Sequence, residues 1–291
     1  MKARRLSLRA LTYLLIVVAT LIMFYPVLYI FLGAFTTPSR LLATILLPIP
    51  NTANLGIIFF AWGNGLWQAY AFTLLRCLFY IMLALYAGII GGYIFSKMSF
   101  PGKQKLFLLF LSGMVMPAIL LIVPMYLMVA WFPLAGGNNL LGQGGHGLIN
   151  NWRSLFLFSW VSPFAIFAFK QSYDMLPTEY QDAARMDGAG LLTIIFRVYG
   201  PLLKPVMAAV IVITFLSIWN DYLWPSLVIT DRPAFVPITL LFGGFGVSRG
   251  SSAPDPAALL GSLLALWPPA LVYIIFQRYF IQGLVASAPR G

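Results

Sequence analysis

The sequence predicts an all-α integral membrane protein with six transmembrane helices. Three observations lead there. Hydrophobic residues make up 61% of the 291-residue chain and charged residues 9%. A soluble domain is nearer half apolar and a quarter charged, so this chain has too little polar surface to cover its core in water. Six long apolar runs fall at about 11–35, 69–96, 106–132, 154–169, 206–230 and 257–276. The basic residues are unevenly shared between the two alternating sets of connections.

Crossing the hydrocarbon takes roughly 20 apolar residues in a helix. The first run is too long for the core of a signal peptide and lacks a small-residue cleavage pattern before a polar sequence, so it reads as a retained span. The second carries Gly88 and Gly92, a small-xxx-small pair that lets a neighbouring helix approach closely. Ala257, Gly261 and Ala265 repeat that pattern in the sixth. Pro117 and Pro124 remove helical hydrogen bonds in the third run, which predicts bending there. The fourth run is the shortest and contains Pro163.

Orientation follows from lysine and arginine placement. Lys2, Arg4, Arg5 and Arg9 precede the first run, and Lys97, Lys103 and Lys105 follow the second. Lys170, Arg185, Arg197 and Lys204 lie between the fourth and fifth, and Arg278 and Arg290 follow the sixth. The opposite side has only Arg40, Arg153, Arg232 and Arg249. Both ends are therefore expected in the cytoplasm. The expected layout is a tail at 1–10, a six-span transmembrane domain at 11–276 with a cytoplasmic loop at 172–203, and a tail at 277–291. The net charge of +11 is dispersed rather than gathered in one patch, which argues against nucleic acid as a partner. A single cysteine, Cys77, excludes an intrachain disulfide.

Four of the seven carboxylates, Asp174, Glu179, Asp182 and Asp187, crowd into that loop. Pro177-Thr178 reads as a helix entry, with Thr178 and Gln181 spaced for a capping box. Glu179 and Asp182 fall in the first turn, where the helix dipole favours anions. Ala183, Ala184 and Met186 offer a small, smooth surface, and Gly188 is placed to end the helix with a positive φ. A second amphipathic helix is expected over 191–199, stopped by Gly200-Pro201 before the fifth span. Such a loop far exceeds the usual 2–8 residues of a helix–helix connection. It suits docking in a groove of another protein; a solvated loop whose charges keep it out of lipid is the alternative.

The stretch EYQDAARMDGAGLLTIIFRVYGPL resembles the EAA loop of ABC-importer membrane subunits, in the form common among sugar importers. Glu179, Ala183, Ala184, Asp187, Gly188, Ala189, Phe196 and Pro201 carry the resemblance. It departs from the pattern in placing YQD before the paired alanines and Gly200-Pro201 where Leu-Pro is usual. WNDYLWPSLV at 219–228, FPGKQ at 100–104 and QRYFIQGLVASAPRG at 277–291 resemble further segments of the maltose-type group. The resemblance implies a type I importer permease fold in a bacterial or archaeal plasma membrane, and a coupling role for Glu179, Asp182, Ala183, Ala184, Asp187, Gly188 and Ala189. It implies as partners a second permease, two ATPase subunits and an external solute-binding protein, with a sugar as substrate. ATP and magnesium would be bound by the ATPase, with no cofactor in this chain.

Other signatures point away from catalysis. No G-x-x-x-x-G-K-[ST] occurs, so no P-loop is present. GQGGHG at 142–147 matches a dinucleotide fingerprint by letters only, since it lies in an external loop instead of between a strand and a helix. His146, the sole histidine, has no neighbouring metal-ligand set in sequence. No Gly-x-Ser nucleophile with a membrane histidine supports an intramembrane hydrolase. A stand-alone secondary transporter would show repeats and several intramembrane charges. Asp221 is the one carboxylate inside an apolar run. With Trp219, Asn220 and Tyr222 it could line a sugar pathway, or it could pair with another helix or reach the outer interface. Glycerol-phosphate and a polyamine stand as alternative solutes. The long loop at 231–256 carries no residue-level motif.

Overall fold

The computed structural model describes residues 2–44, 46–51, 65–158, 161–231 and 256–286. The loop at 231–256 lies almost wholly outside them, as do residues 287–291. All regular structure among the described residues is helical. The helices are α1 (Lys2–Ala34), α2 (Pro38–Ala43), α3 (Leu66–Lys97), α4 (Lys103–Val115), α5 (Ile122–Ala130), α6 (Pro163–Asp174), α7 (Glu179–Met186), α8 (Lys204–Trp219), α9 (Leu223–Val228) and α10 (Pro256–Ala286). Short 3-10 and π turns join several of them.

The chain divides into two compact units: 1–66 with 241–267, and 67–240 with 268–291. In the first, Gly33 lets Leu259 of α10 lie where a Cβ would be 2.5 Å from its Cδ1. The second unit holds two apolar cores. One gathers Tyr93, Phe169, Tyr173, Ile194, Tyr199 and Leu203. The other gathers Phe72, Val129, Leu148, Leu155, Val228 and Ile229. Phe72 and Tyr93 sit 21 residues apart on α3, about 32 Å along a helix, so the cores mark opposite ends of it.

Four helical stretches among the described residues are long and apolar enough to cross a bilayer: Leu11–Ala34, Leu66–Lys97, Leu191–Val228 and Ala258–Tyr279. α4 and α5, with the 3-10 turn Ala118–Leu121 between them, are together apolar and long enough for a fifth, but the pair bends by 93°, the shape of a broken span or of a re-entrant loop. The bend sits at Pro117, as its missing N–H predicts.

The fourth expected run departs most from expectation. Its helix starts at Pro163 and has only 12 residues, about 18 Å long. Ser162 caps it, its hydroxyl accepting from the Ala165 amide at 3.2 Å. Residues 152–158 are a 3-10 turn followed by irregular chain. Irregular backbone beside an apolar core must find its hydrogen bonds from side chains. The carbonyls of Ser154, Leu155 and Phe158 do: they accept from Trp224 Nε1, from Arg76 Nε and Tyr80 Oη, and from Tyr80 Oη again. Six full-length spans are therefore not what the described helices supply.

The fifth span also differs. Gly200-Pro201 does not stop a separate helix. Leu191–Thr193 leads into a π turn at Ile194–Tyr199, a 3-10 turn at Gly200–Leu203 and then α8 without leaving helical geometry. Pro201 sits in the first turn of the 3-10 segment, where a missing N–H costs little, and the wide π turn before it takes up the altered register.

The Gly88 and Gly92 pair does what small residues do. A Cβ on Gly88 would lie 2.6 Å from the Phe169 ring, and one on Gly92 would lie 2.5 Å from Phe169 Cβ and 2.9 Å from the Lys170 amide. The two glycines are the floor on which α6 rests.

Candidate functional site

The helix α7 occupies the segment where the carboxylates crowd. Thr178 already has helical angles, φ −73° and ψ −21°, and its side chain makes no capping bond. Its carbonyl accepts from the amides of Gln181 and Asp182 at 2.9 and 3.1 Å. The expected capping box does not form, because Gln181 is buried and turned inward, where its Oε1 accepts from the Tyr93 hydroxyl at 2.6 Å. Tertiary contact outweighs the local cap.

At the other end Gly188 has φ +78°. Its amide donates to Arg185 O at 3.0 Å, and the Ala189 amide donates to Ala184 O at 2.9 Å. This pair of bonds is a Schellman close, with Gly188 at C′. Ala184 and Ala189, five positions apart across it, pack against the same core.

Exposure divides the predicted coupling residues into two sets. Glu179, Asp182, Ala183, Asp187 and Gly188 are exposed, while Ala184 and Ala189 turn toward the chain's own interior. Glu179, Asp182, Ala183 and Met186 follow the i, i+3, i+4, i+7 spacing of one helix face, and Met186 is 88% exposed. The outward stripe is thus acidic at its start and smooth and apolar at its end.

The inward side is held by contacts that sequence reasoning missed. Tyr93, Tyr173 and Tyr199 form a buried triangle with ring centroids 5.6, 5.4 and 6.3 Å apart. The Tyr199 hydroxyl donates to Pro177 O at 3.2 Å, and Lys97 Nζ donates to Leu176 O at 2.6 Å. Ser96 Oγ and Lys170 Nζ both reach Asp174, each at 2.6 Å. Burial pushes the Asp174 carboxyl up, but the bonds from Lys170 and Ser96 and the charges of Lys170 and Lys97 outweigh it and hold its pKa below the usual value. The entry to α7 is therefore fastened to α3 and to the π turn that opens the fifth span. The three tyrosines lie 80 and 26 residues apart in sequence, and no local pattern announces that they meet.

The second candidate group is the break between α8 and α9. Trp219 is buried, stacked on Phe215 at 5.5 Å and tilted against Tyr70 at 6.0 Å. Its stacking surface is thus taken by the chain's own aromatics. Asn220 and Tyr222 are exposed. Asp221 Oδ2 pairs with Arg76 Nη2 at 2.5 Å, and Asp221 Oδ1 accepts from the Trp224 amide at 3.4 Å. Arg76 is 3% exposed, and its Nη1 is a buried donor without an acceptor.

The glycine-rich loop after α5 is a backbone knot. A Cβ on Gly147, at φ +61°, would lie 2.3 Å from Val129 O. Asn150 then binds the loop to the end of α9, its Oδ1 accepting from the amides of Thr230 and Asp231 at 2.7 and 3.0 Å. Close backbone approach accounts for Gly142, Gly145 and Gly147, and a φ of +101° for Gly144.

Residues 85–285 match the family described as binding-protein-dependent transport system inner membrane component. The chain is 30% identical over 238 residues to the arabinooligosaccharides transport system permease protein AraQ of Bacillus subtilis, covering 82% of this chain and 76% of that protein. It is 32% identical over 208 residues to the lactose transport system permease protein LacG of Rhizobium radiobacter, covering 70% and 69%. It is 25% identical over 283 residues to the sn-glycerol-3-phosphate transport system permease protein UgpE of Escherichia coli, covering 95% of each. Its fold is shared with a chain from the crystal structure of a bacterial ABC transporter involved in the import of the acidic polysaccharide alginate, at a TM-score of 0.73 and 21% identity, covering 96% of this chain and 98% of that one. The family match spans the α6–α7 segment, the π turn and the α8–α9 break alike, and the chain belongs to the binding-protein-dependent transport system inner membrane components.

Proposed function

We propose that this chain is a membrane subunit of an ABC importer for a sugar or oligosaccharide, with α7 as the element through which a separate ATPase drives it. One observation carries the reading: α7 and its entry are fastened to two other elements, α3 and the π turn, on the inner side while the acidic and smooth outer stripe is left exposed. A solvated loop needs no such fastening. Glu179, Asp182, Ala183, Asp187 and Gly188 would meet the ATPase, while Ala184 and Ala189 seat the helix on the bundle. In this reading the α7 end of the chain and both termini are cytoplasmic, as the lysine and arginine distribution requires.

ATP and magnesium belong to the ATPase, two copies of which work with this chain, a second permease and an external solute-binding protein. ATPase closure pushes α7. The push passes through Tyr93 to α3 and through Tyr199 to the fifth span, and a cavity near the third to fifth spans changes the side it faces. Asn220, Asp221 and Tyr222 remain the proposed pathway residues of this subunit. Similarity to AraQ and LacG supports a sugar. The near full-length similarity to UgpE keeps glycerol-phosphate as the second reading.

Uptake into proteoliposomes containing the whole assembly decides between them. Labelled oligosaccharide should enter only with ATP inside the ATPase-accessible compartment and with the binding protein present. Uptake driven by an ion gradient without ATP would contradict the importer reading, and uptake of glycerol-phosphate alone would move it to the second solute. Tyr93→Phe adds a test of the force path. It leaves the Gln181 acceptor buried without its donor, a cost of about 1–3 kcal/mol. The expected result is normal ATPase activity with less solute moved per ATP; an unchanged ratio removes Tyr93 from the path.

A further inference from the structure

Between the end of α3, the start of α4 and the last turns of α6 lies an open cavity of about 890 Å³. It is at the same end of the bundle as α7, since Ser96 and Asp174, which line it, bond each other beside the α7 entry. One wall is apolar: Phe95, Phe107, Leu108 and Leu111. The mouth carries Lys103, Lys105 and Lys170 against a single carboxylate, Asp174.

The lysines are placed rather than scattered. Lys103 Nζ donates to Ser96 O at 3.0 Å and to Met98 O at 2.8 Å, which uses two of its three N–H groups and fixes the ammonium. Lys170 lies over the Phe107 ring at 5.1 Å while bonded to Asp174. Lys105 is exposed at the rim. Beside them α4, a helix of 13 residues, begins after Gly102 at φ +78° with no side-chain cap on its first amides. Positive charge therefore rims the mouth, with a greasy wall leading away from it.

We infer that this cavity is a binding site for an anionic phospholipid of the leaflet on the α7 side. The phosphate would sit between Lys103 and Lys105, and an acyl chain would lie along Phe107, Leu108 and Leu111. A free anion would use the lysines but gain nothing from the apolar wall. A protein segment would have to be both acidic and greasy at this spacing. Basic pockets between membrane helices are a recognised setting for acidic headgroups.

The test uses the whole importer assembly in nanodiscs made from equal parts phosphatidylglycerol and phosphatidylcholine, with the lipid that stays bound on release measured by native mass spectrometry. The wild-type assembly should retain phosphatidylglycerol in preference to phosphatidylcholine. Lys105→Gln, which touches no backbone bond, should reduce that preference by about fivefold, and Lys103→Gln with Lys105→Gln should reduce it further. Two controls distinguish the sources. Millimolar inorganic phosphate should not displace the lipid, and Lys105→Cys should react with maleimide in the assembly. Equal retention of both lipids, unchanged selectivity in Lys105→Gln, displacement by phosphate, or a Lys105→Cys thiol shielded by a partner chain would each overturn the site. None of these outcomes bears on whether α7 couples to an ATPase.

Discussion

Replacing Arg76 by glutamine should destabilise the folded chain by about 3–5 kcal/mol, the usual cost of removing one partner from a buried ion pair. The guanidinium does three things at once. It pairs with Asp221 at 2.5 Å, donates from Nε to Leu155 O at 3.1 Å, and fills space beside Tyr80 in a setting where it is 3% exposed. Glutamine cannot supply the charge or both directions. The pair itself need not add net stability, because desolvation offsets its Coulomb gain and Nη1 has no acceptor. So Arg76→Met with Asp221→Leu should recover most of the loss in thermal unfolding in detergent, while Arg76→Gln alone does not. Asp221→Asn should also destabilise the chain, because it leaves the Arg76 guanidinium, at 3% exposure, without its counter-charge, although an amide oxygen still accepts from the Trp224 N–H that opens α9. If Asp221 also serves the pathway, Asp221→Asn alters transport more than assembly. Equal stability of wild type and Arg76→Gln would show that the α8–α9 break is held by something else.

Gly188→Pro should abolish coupled transport while leaving the chain in the membrane. Proline fixes φ near −65°, whereas Gly188 sits at +78°, and its amide is bonded to Arg185 O. Losing both costs about 3 kcal/mol or more, which is roughly a hundredfold in the population of the closed turn. Gly188→Ala separates conformation from space. Nothing lies within 4 Å of a Cβ built there, so alanine pays only left-handed strain, about 1–2 kcal/mol. The series should therefore run wild type, alanine, proline in falling uptake per ATP. Full uptake by the proline variant would remove α7 from the mechanism.

Features set by local backbone chemistry were readable before any coordinates. Gly188 ends α7 because few other residues take that φ. Pro117 bends the third run because it has no N–H to give. Gly88 and Gly92 admit α6 because they have no Cβ. What could not be read depends on partners distant in sequence. Gln181 has the spacing of a capping box, but Tyr93, 88 residues away, claims its oxygen. Asp221 supports three readings in sequence, and its ion pair with Arg76, 145 residues away, has no local mark. Trp219 looks like a sugar platform until Phe215 and Tyr70 cover it. The fourth run looked merely short, because the side chains that satisfy its irregular backbone come from α3 and α9. Gly200-Pro201 looked like a stop because the adjoining π turn has no sequence marker.

The central claim is that an ATPase seats on the exposed stripe of α7. Met186 is the position to probe, at 88% exposure on that stripe. The one native cysteine, Cys77, is 1% exposed, so it offers little background reaction. A Met186→Cys chain carrying a short bifunctional maleimide, in native membranes with its partners, should form an adduct that mass spectrometry identifies as a P-loop ATPase. If the thiol instead reacts with soluble maleimide equally fast in the isolated chain and in the ATP-hydrolysing assembly, and no ATPase adduct forms, α7 is a solvated loop and the coupling account is wrong.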